Sequence, residues 1–477
     1  MVSEKYRRVS PPIGAASEGN EPRVIARRPT AIDWDNPHPL YAVWEITLAC
    51  DLGCKHCGSR AGPARPDELT TAECLDVVAQ LDEVGIREVT LIGGEAYLRD
   101  DWDVIAADIT RRGMRCGITT GAMNLDDERI ARAVMAGVST ISISIDGLER
   151  THDAQRGVQG SWRNAVAAAR KVAQSPIRLA TNSQINRLSM PELAAIARLL
   201  VDMGSEAWQI QLTVPMGHSA DRPNLLLQPY ELLELFPLLV WIKRELLVPG
   251  DVWLFPGNNI GYFGPYESAL RHGGDRGAHW QGCSAGKWSI GLEADGKIKS
   301  CPSLTHHHYG SGTFRDTRLA EALQSDGIAH LNNRTRDDLW GFCQSCYYAD
   351  TCLAGCTWTS HVTLGKAGNN PLCIHRALDR ERAGLRERIC IVEMAPGDPF
   401  DNGRFELTLE QDPEGADDAP TVLGFPLDVV TGLEFDVASI HEPDYIDAVL
   451  GGSSRKQGRV ELEKLALGTH RYDQAVT

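Results

Sequence analysis

Three cysteines fall within eight residues as Cys50-x3-Cys54-x2-Cys57. Thiolates at that spacing can each hold one iron of a cubane cluster and leave the fourth iron without a protein ligand, open to chemistry. A zinc site is the alternative, because His56 lies inside the loop, although structural zinc favours four closed ligands from paired C-x2-4-C units. A second array runs as Cys283, Gly296 and Cys301, then Cys343-x2-Cys346-x5-Cys352-x3-Cys356, then Cys373. Seven cysteines with little periodic helix or strand around them describe a small domain held by clusters or metal rather than by an apolar core. A treble-clef or ribbon zinc domain is the alternative there. The chain has thirteen cysteines, and its start, MVSEKYRRVSPPIGAASEGN, lacks the apolar core of an export signal, so metal or redox chemistry is expected rather than disulfides. Cys74, Cys116 and Cys390 stand apart and read as buried small hydrophobes.

Two further groups have chemistry-bearing types. Gly93-Gly94-Glu95 offers a backbone that a ligand can approach closely, with a carboxylate suited to an ammonium. Ser144 and Arg156 offer a hydroxyl and a guanidinium able to fork onto a carboxylate. Thr119, Asn124, Asn182 and Gln184 are weaker candidates for lining a cavity.

Positioning these residues requires a repeating framework, and one begins at Tyr41. Short β-branched runs at 41–48, 87–93, 114–120, 139–145, 177–184 and 207–213 alternate with amphipathic helical stretches. The first helix is expected to start at Thr70 with Glu73 as a capping box, and later ones to end on Gly113, Gly137 and Gly204. Strand and helix alternation implies an α/β fold with a parallel sheet, an open doubly wound sheet or a full or partial barrel, and its chemistry at the C-terminal strand ends. The cysteine loop follows the first strand directly. The apolar run 229–248 carries Glu and Lys and reads as a packed helix, since no stretch reaches the ~18 to 20 uncharged apolar residues of a span. Sixty-four acidic residues against 48 basic give a net charge of -16, which disfavours nucleic-acid binding through phosphates. Neither membrane nor nucleic acid is expected as a partner, and the setting reads as cytoplasmic. His306, His307 and His308 read as a solvated loop, and Trp340, Tyr347, Tyr348 and Trp358 as shields around the cysteines.

The Cys50–Cys57 loop resembles the signature of the radical S-adenosylmethionine (SAM) enzymes. The resemblance extends to Gly93-Gly94-Glu95, similar to the motif that meets the SAM amino group, and to Ser142-Ile-Ser144-Ile-Asp146-Gly147 with His152-Asp153 and Arg156-Gly157. Ser144 and Arg156 match residues that contact the SAM carboxylate. The second array matches the seven-cysteine pattern of SPASM domains. What the resemblance implies is a partial (β/α)6 radical SAM barrel over 38–250, a linker at 251–282, and a SPASM domain at 283–394. A flexible arm at 1–37 and an acidic C-terminal extension at 395–477 complete the expected organisation. It also implies a [4Fe-4S] cluster on Cys50, Cys54 and Cys57, SAM, and two auxiliary clusters, expected as [4Fe-4S]. By the family's interleaved ligation Cys343, Cys346, Cys352 and Cys373 hold the farther auxiliary cluster, and Cys283, Cys301 and Cys356 the nearer. No cysteine lies between Cys283 and Cys301, so the nearer cluster has a fourth position that either a non-cysteine group or a substrate must fill.

The implied activity is reductive cleavage of SAM to a 5'-deoxyadenosyl radical that removes a hydrogen atom from an unactivated carbon. The expected reaction is a thioether or carbon-carbon cross-link in a short, ribosomally made precursor peptide, with a reducing donor such as flavodoxin or ferredoxin. CGSRAGPARPDELTT and LIGGEAYLR resemble maturases associated with precursors bearing a Gly-Asp-Leu motif. Alternatives are a SPASM enzyme of haem or redox-cofactor biosynthesis and a sulfatase-type formylglycine maturase. The arm at 1–37 is too short for a winged-helix leader-binding domain, which leaves leader recognition to the barrel or the tail. No catalytic base is assigned.

Overall fold

Alternation along each strand sets the architecture. On β1 (Tyr41–Glu45), β2 (Glu88–Ile92), β3 (Arg115–Thr120), β4 (Thr140–Ser144), β5 (Arg178–Ile185) and β6 (Ala207–Leu212) every second side chain is buried. Ala42, Trp44, Val89, Leu91, Cys116, Ile118, Ile141, Ile143, Leu179, Trp208 and Ile210 form this outward face. It packs under helices that include Thr71–Glu83, Trp102–Arg111, Ser161–Ala173 and Leu193–Asp202. The residues between them, among them Thr90, Thr119, Ser142, Ala180, Asn182 and Gln209, are polar or small and only half-buried. A closed (β/α)8 barrel fills its interior with branched apolar side chains; this inner face leaves a polar hollow.

The computed structural model describes residue 27 and residues 29–271, 279–280, 282–329, 331, 333–412 and 420–451. Most of the arm expected over 1–37, and the tail past 451, lie outside the described residues. β1 to β7 (Trp253–Pro256) pair in parallel and in chain order. The Arg27 guanidinium lies 4.6 Å from the ring centroid of Tyr41 on β1 and 5.0 Å from that of Phe255 on β7. One side chain thus touches both β1 and β7, so the sheet between them is curled. This is an α/β partial barrel, and its six expected strands lie within one to three residues of the expected bounds.

Two features go beyond the sequence expectations. The stretch read as a linker contains β7, and the cysteine-rich region contributes β8 (Ser289–Leu292), β9 (Lys297–Lys299) and β10 (Gly310–Thr313). β8 pairs parallel with β1 and the next two follow antiparallel, giving one ten-stranded sheet ordered β10-β9-β8-β1 through β7. Strands of three or four residues are too short to show a period of two in sequence. The capping box at Thr70 and Glu73 is present. The apolar stretch Pro223–Leu247 is long and apolar enough to cross a membrane by length and composition, yet 78% of its most apolar window is buried inside the protein.

Beyond the cysteine-rich region, β11 (Leu385–Glu393) and β12 (Arg404–Gln411) form an antiparallel hairpin, and the chain then returns to the barrel. The buried Glu192 carboxylate accepts from the Leu148 amide at 2.7 Å, Thr151 Oγ1 at 2.8 Å, Ser439 Oγ at 2.7 Å and the Ile440 amide at 3.2 Å. His441, 3% exposed, donates from Nε2 to the Leu188 carbonyl at 2.8 Å. Burial pushes its pKa from 6.5 down to about 4. The unfolded chain takes up this proton as pH falls through 6.5 and the folded chain does not until about 4, so stability drops across that window by up to about 3 kcal/mol from this residue. Thermal unfolding between pH 7 and 4 should show His441→Gln losing less stability on acidification than the parent chain.

Candidate active site

The cysteine loop leaves β1 and is held from three sides by backbone hydrogen bonds. Cys50 donates its amide to the Gly62 carbonyl at 2.8 Å. The Gly53 and Lys55 amides donate to the carbonyls of Arg156 at 2.9 Å and Gln155 at 2.7 Å, at the end of the helix Glu149–Arg156. From a turn after β6, the His218 amide donates to the Cys57 carbonyl at 2.9 Å and its Nδ1 to the Cys54 carbonyl at 2.8 Å. Gly157, at φ +71°, caps that helix, and a Cβ there would meet the Gly53 carbonyl oxygen at 2.4 Å. The approach of helix to loop therefore requires glycine.

Gly94 is required by backbone packing: its Cβ would strike the carbonyl oxygens of Ala49 at 2.3 Å and Leu48 at 2.4 Å. Its amide donates to the Thr47 carbonyl at 2.9 Å, and the Glu95 amide to the Ala49 carbonyl at 2.7 Å; Gly93 is similarly pressed against Thr47. The glycine pair thus docks β2 onto the start of the cysteine loop. Glu95 is buried beside it, with Oε2 accepting from the Gly121 amide at 2.9 Å and Oε1 without a partner. Burial, then the nearby Asp51 charge, push its carboxyl up to about 8 against the hydrogen bonds from Thr120 and Gly121. Asp51 accepts from Asn124 Nδ2 at 2.7 Å and from the Tyr97 hydroxyl at 3.3 Å. A buried carboxylate with an unused oxygen suits a cationic ligand group such as an ammonium.

At the end of β4, Ser144 Oγ accepts from Asn182 Nδ2 at 2.9 Å, while Asn182 Oδ1 accepts from Ser142 Oγ at 3.0 Å. Arg156 pairs with Asp146 and points Nη1 at Cys54 Sγ, 3.6 Å away. Asp146 also meets His56 Nε2 at 3.1 Å and accepts from the Gln184 amide at 2.8 Å. Burial opposes its ionisation, but Arg156 and then His56 outweigh burial and hold the carboxyl well below the usual carboxylate range. Asp146 stood in the quoted motif without a role, and His218 carried no sequence signal, because it reaches the loop from 161 residues beyond Cys57. Burial pushes the Cys50 thiol up to about 12 and the Cys54 thiol up to about 11, so thiolates form here only with a compensating cation such as iron.

The second array divides into two groups. Cys343, Cys346, Cys352 and Cys373 line one cavity with Tyr262, Phe263, Phe342, Tyr348 and His375. Cys301 is within electrostatic reach of Cys283 and Cys356, and Cys283 and Cys301 pack around Leu304, Tyr309 and Trp358. Among the described residues, no three His, Cys, Asp or Glu side chains converge tightly enough for a single metal ion. Tyr348 stacks on Phe263 at 4.5 Å and Trp358 packs beside the cysteines. Tyr347, by contrast, is 88% exposed and shields nothing. The His306–Tyr309 stretch is a short helix rather than a loop, with His307 and His308 exposed. Cys74 and Cys116 are buried in the barrel wall, whereas Cys390 is half-buried on β11.

Replacing Asp146 by alanine should leave the Arg156 guanidinium buried without its counter-charge and cost about 3–5 kcal/mol. Thermal unfolding should show that loss, and Asp146→Asn, which keeps the shape but not the charge, should recover only part of it.

Residues 44–196 match the family described as the Radical SAM superfamily. Among curated proteins, the chain is 27% identical over 375 residues to mycofactocin maturase MftC of Mycobacterium tuberculosis, covering 77% of this chain and 91% of that protein. It is 25% identical over 359 residues to an AdoMet-dependent heme synthase of Oleidesulfovibrio alaskensis, covering 73% and 90%. Among solved structures, Streptococcus suis SuiB bound to S-adenosylmethionine shares the fold with a TM-score of 0.55 at 15% identity, over 71% of this chain and 77% of that one. The protein anSMEcpe with AdoMet and the Cp18Cys peptide gives 0.57 at 13%, over 72% and 95%. Residues 44–196 are accordingly a radical SAM domain, and the chain is an enzyme similar to the SPASM-type peptide maturases.

Proposed function

We propose that this enzyme reductively cleaves SAM and oxidatively modifies a ribosomally synthesised peptide, forming a thioether or carbon-carbon cross-link. The observation that carries the reading is the convergence of Cys50, Cys54 and Cys57 with the half-satisfied Glu95 carboxylate and the Arg156–Asp146 pair. The Radical SAM match over residues 44–196 implies a [4Fe-4S] cluster and SAM; when bound, they would supply the electron that cleaves SAM and the 5'-deoxyadenosyl radical that takes a hydrogen atom.

The chain's own residues then have separable tasks. Cys50, Cys54 and Cys57 hold the irons, and Glu95 with Gly93 and Gly94 receives the SAM amino group. Ser144 and Arg156 serve its carboxylate, Arg156 doing so while steadying Cys54. Cys343, Cys346, Cys352 and Cys373 hold one auxiliary cluster, and Cys283, Cys301 and Cys356 a second, as acceptors for the electron released when the peptide is oxidised. The aromatic lining of the four-cysteine cavity excludes water, which favours electron transfer over side reactions. A flavodoxin or ferredoxin supplies reducing electrons, and a cytoplasmic, reducing setting keeps the thiols free.

The relatives named heme synthases favour a second reading, in which the substrate is a small molecule of cofactor biosynthesis. Both readings predict 5'-deoxyadenosine from anaerobically reconstituted, reduced enzyme with SAM, lost in Cys54→Ala. They part on co-expression with a short peptide encoded beside the gene: high-resolution mass spectrometry should find the peptide short of two hydrogens, and only with intact Cys54. An unchanged peptide from enzyme that still cleaves SAM would move the assignment to the small-molecule reading.

A further inference from the structure

The hollow of the barrel reaches the N-terminal ends of its strands, away from the cysteine loop. A cavity of about 180 Å³ opens there, lined on the wall by Thr90, Gly117, Thr140, Ser142 and Ala180. Its mouth gathers three guanidiniums, Arg27, Arg115 and Arg178, against two carboxylates, Glu88 and Glu206, beside the rings of Tyr41, Trp253 and Phe255. Arg27 pairs with Glu88 at 3.5 Å. Arg178 donates to Thr140 Oγ1 at 3.2 Å and, among the described residues, forms no ion pair with a carboxylate. Inward positions that carry Gly, Ala, Ser and Thr leave room for a ligand rather than for packing.

We propose that this foot of the barrel is a carboxylate subsite, where Arg178 with Arg115 and Arg27 anchors a carboxylate of the substrate; the assignment of that carboxylate to a peptide rests on the function proposed above. A guanidinium fork matches a carboxylate in two parallel hydrogen bonds, and the neutral lumen above it accepts an uncharged, extended segment. The volume admits a chain end or an acidic side chain, not a folded partner. Arg178 and Asn182 stand four residues apart on β5, about 13 Å at ~3.3 Å per residue. A substrate anchored at the foot would need about four extended residues to reach the level of Ser144 and Asn182.

The test measures binding without SAM or reductant, so it is independent of turnover. A library of otherwise uncharged ten-residue peptides, N-terminally labelled with an uncharged dye, is prepared with free α-carboxylate and with carboxamide ends and followed by fluorescence anisotropy. The carboxylate form should bind at least about tenfold tighter. That preference should vanish in Arg178→Gln and Arg115→Gln, persist in part in Arg178→Lys, and shrink as salt is raised. It should also survive in Cys54→Ala, which separates the subsite from the cluster chemistry. Equal affinities, no binding of either form, or a preference that ignores Arg178→Gln would each overturn the subsite, and the lysine variant and the salt series answer if the glutamine variant does not fold. A retained preference in an enzyme that never modifies a peptide would overturn the peptide reading while leaving the carboxylate subsite standing.

Discussion

One buried ion pair ties the candidate site together. Asp146, fully buried at the end of β4, balances Arg156, and through Arg156 it reaches both the Cys54 sulfur and the backbone that pins Gly53. A charge removed from water is costly unless it is paired and hydrogen-bonded. Asp146 meets that requirement with Arg156, His56 and the Gln184 amide. The cysteine loop, the helix Glu149–Arg156 and the ends of β4 and β5 therefore cannot shift independently. Glu95 differs in kind: it is equally buried, but its Oε1 has no hydrogen-bond partner and, among the described residues, it forms no ion pair, whereas Asp146 Oδ2 faces Arg156 and His56. An ion-paired carboxylate builds the scaffold, and one without a counter-charge is left for a ligand.

The same economy joins the cysteine-rich region to the barrel. β8 extends the parallel sheet from β1, so both cysteine arrays share one rigid element. Arg65, just past the first cysteine loop, contacts Glu45 on β1 at 3.1 Å, Glu293 at 2.8 Å and Asp295 at 2.9 Å. Lys299, two residues before Cys301, pairs with Glu293 at 2.9 Å. The Glu45 carboxyl is nonetheless pushed up to about 7 by burial, because Arg65 is shared with other carboxylates. Such a network fixes distance and orientation between the two arrays more than it adds stability.

The C-terminal extension, which has no chemistry of its own in sequence, has a structural place. Asp401 ion-pairs with Arg60 at 2.8 Å and the Phe400 amide donates to the Gly58 carbonyl at 3.0 Å, directly beyond Cys57. The Phe400 ring lies 3.8 Å from the Lys299 ammonium. This segment covers the far side of the first cysteine loop and touches the second region at the same point.

By itself the sequence determined the cysteine spacing and the repeat. Cysteine spacing is local, and the period-two alternation of six strands is written residue by residue, so the loop and the α/β class were legible from Tyr41 to Leu212, while the order of the strands and the curl of the sheet were not. Tertiary structure decided what depends on distant partners. Asp146 became the anchor only because His56, Arg156 and Gln184 fold around it, and His218 reached the loop across the barrel. β7 to β10 were too short to carry a period, and pairing with existing strands made them. The polar lumen also required the fold: the inward positions look like ordinary alternation in sequence, and only the curl of the sheet turns them toward one another.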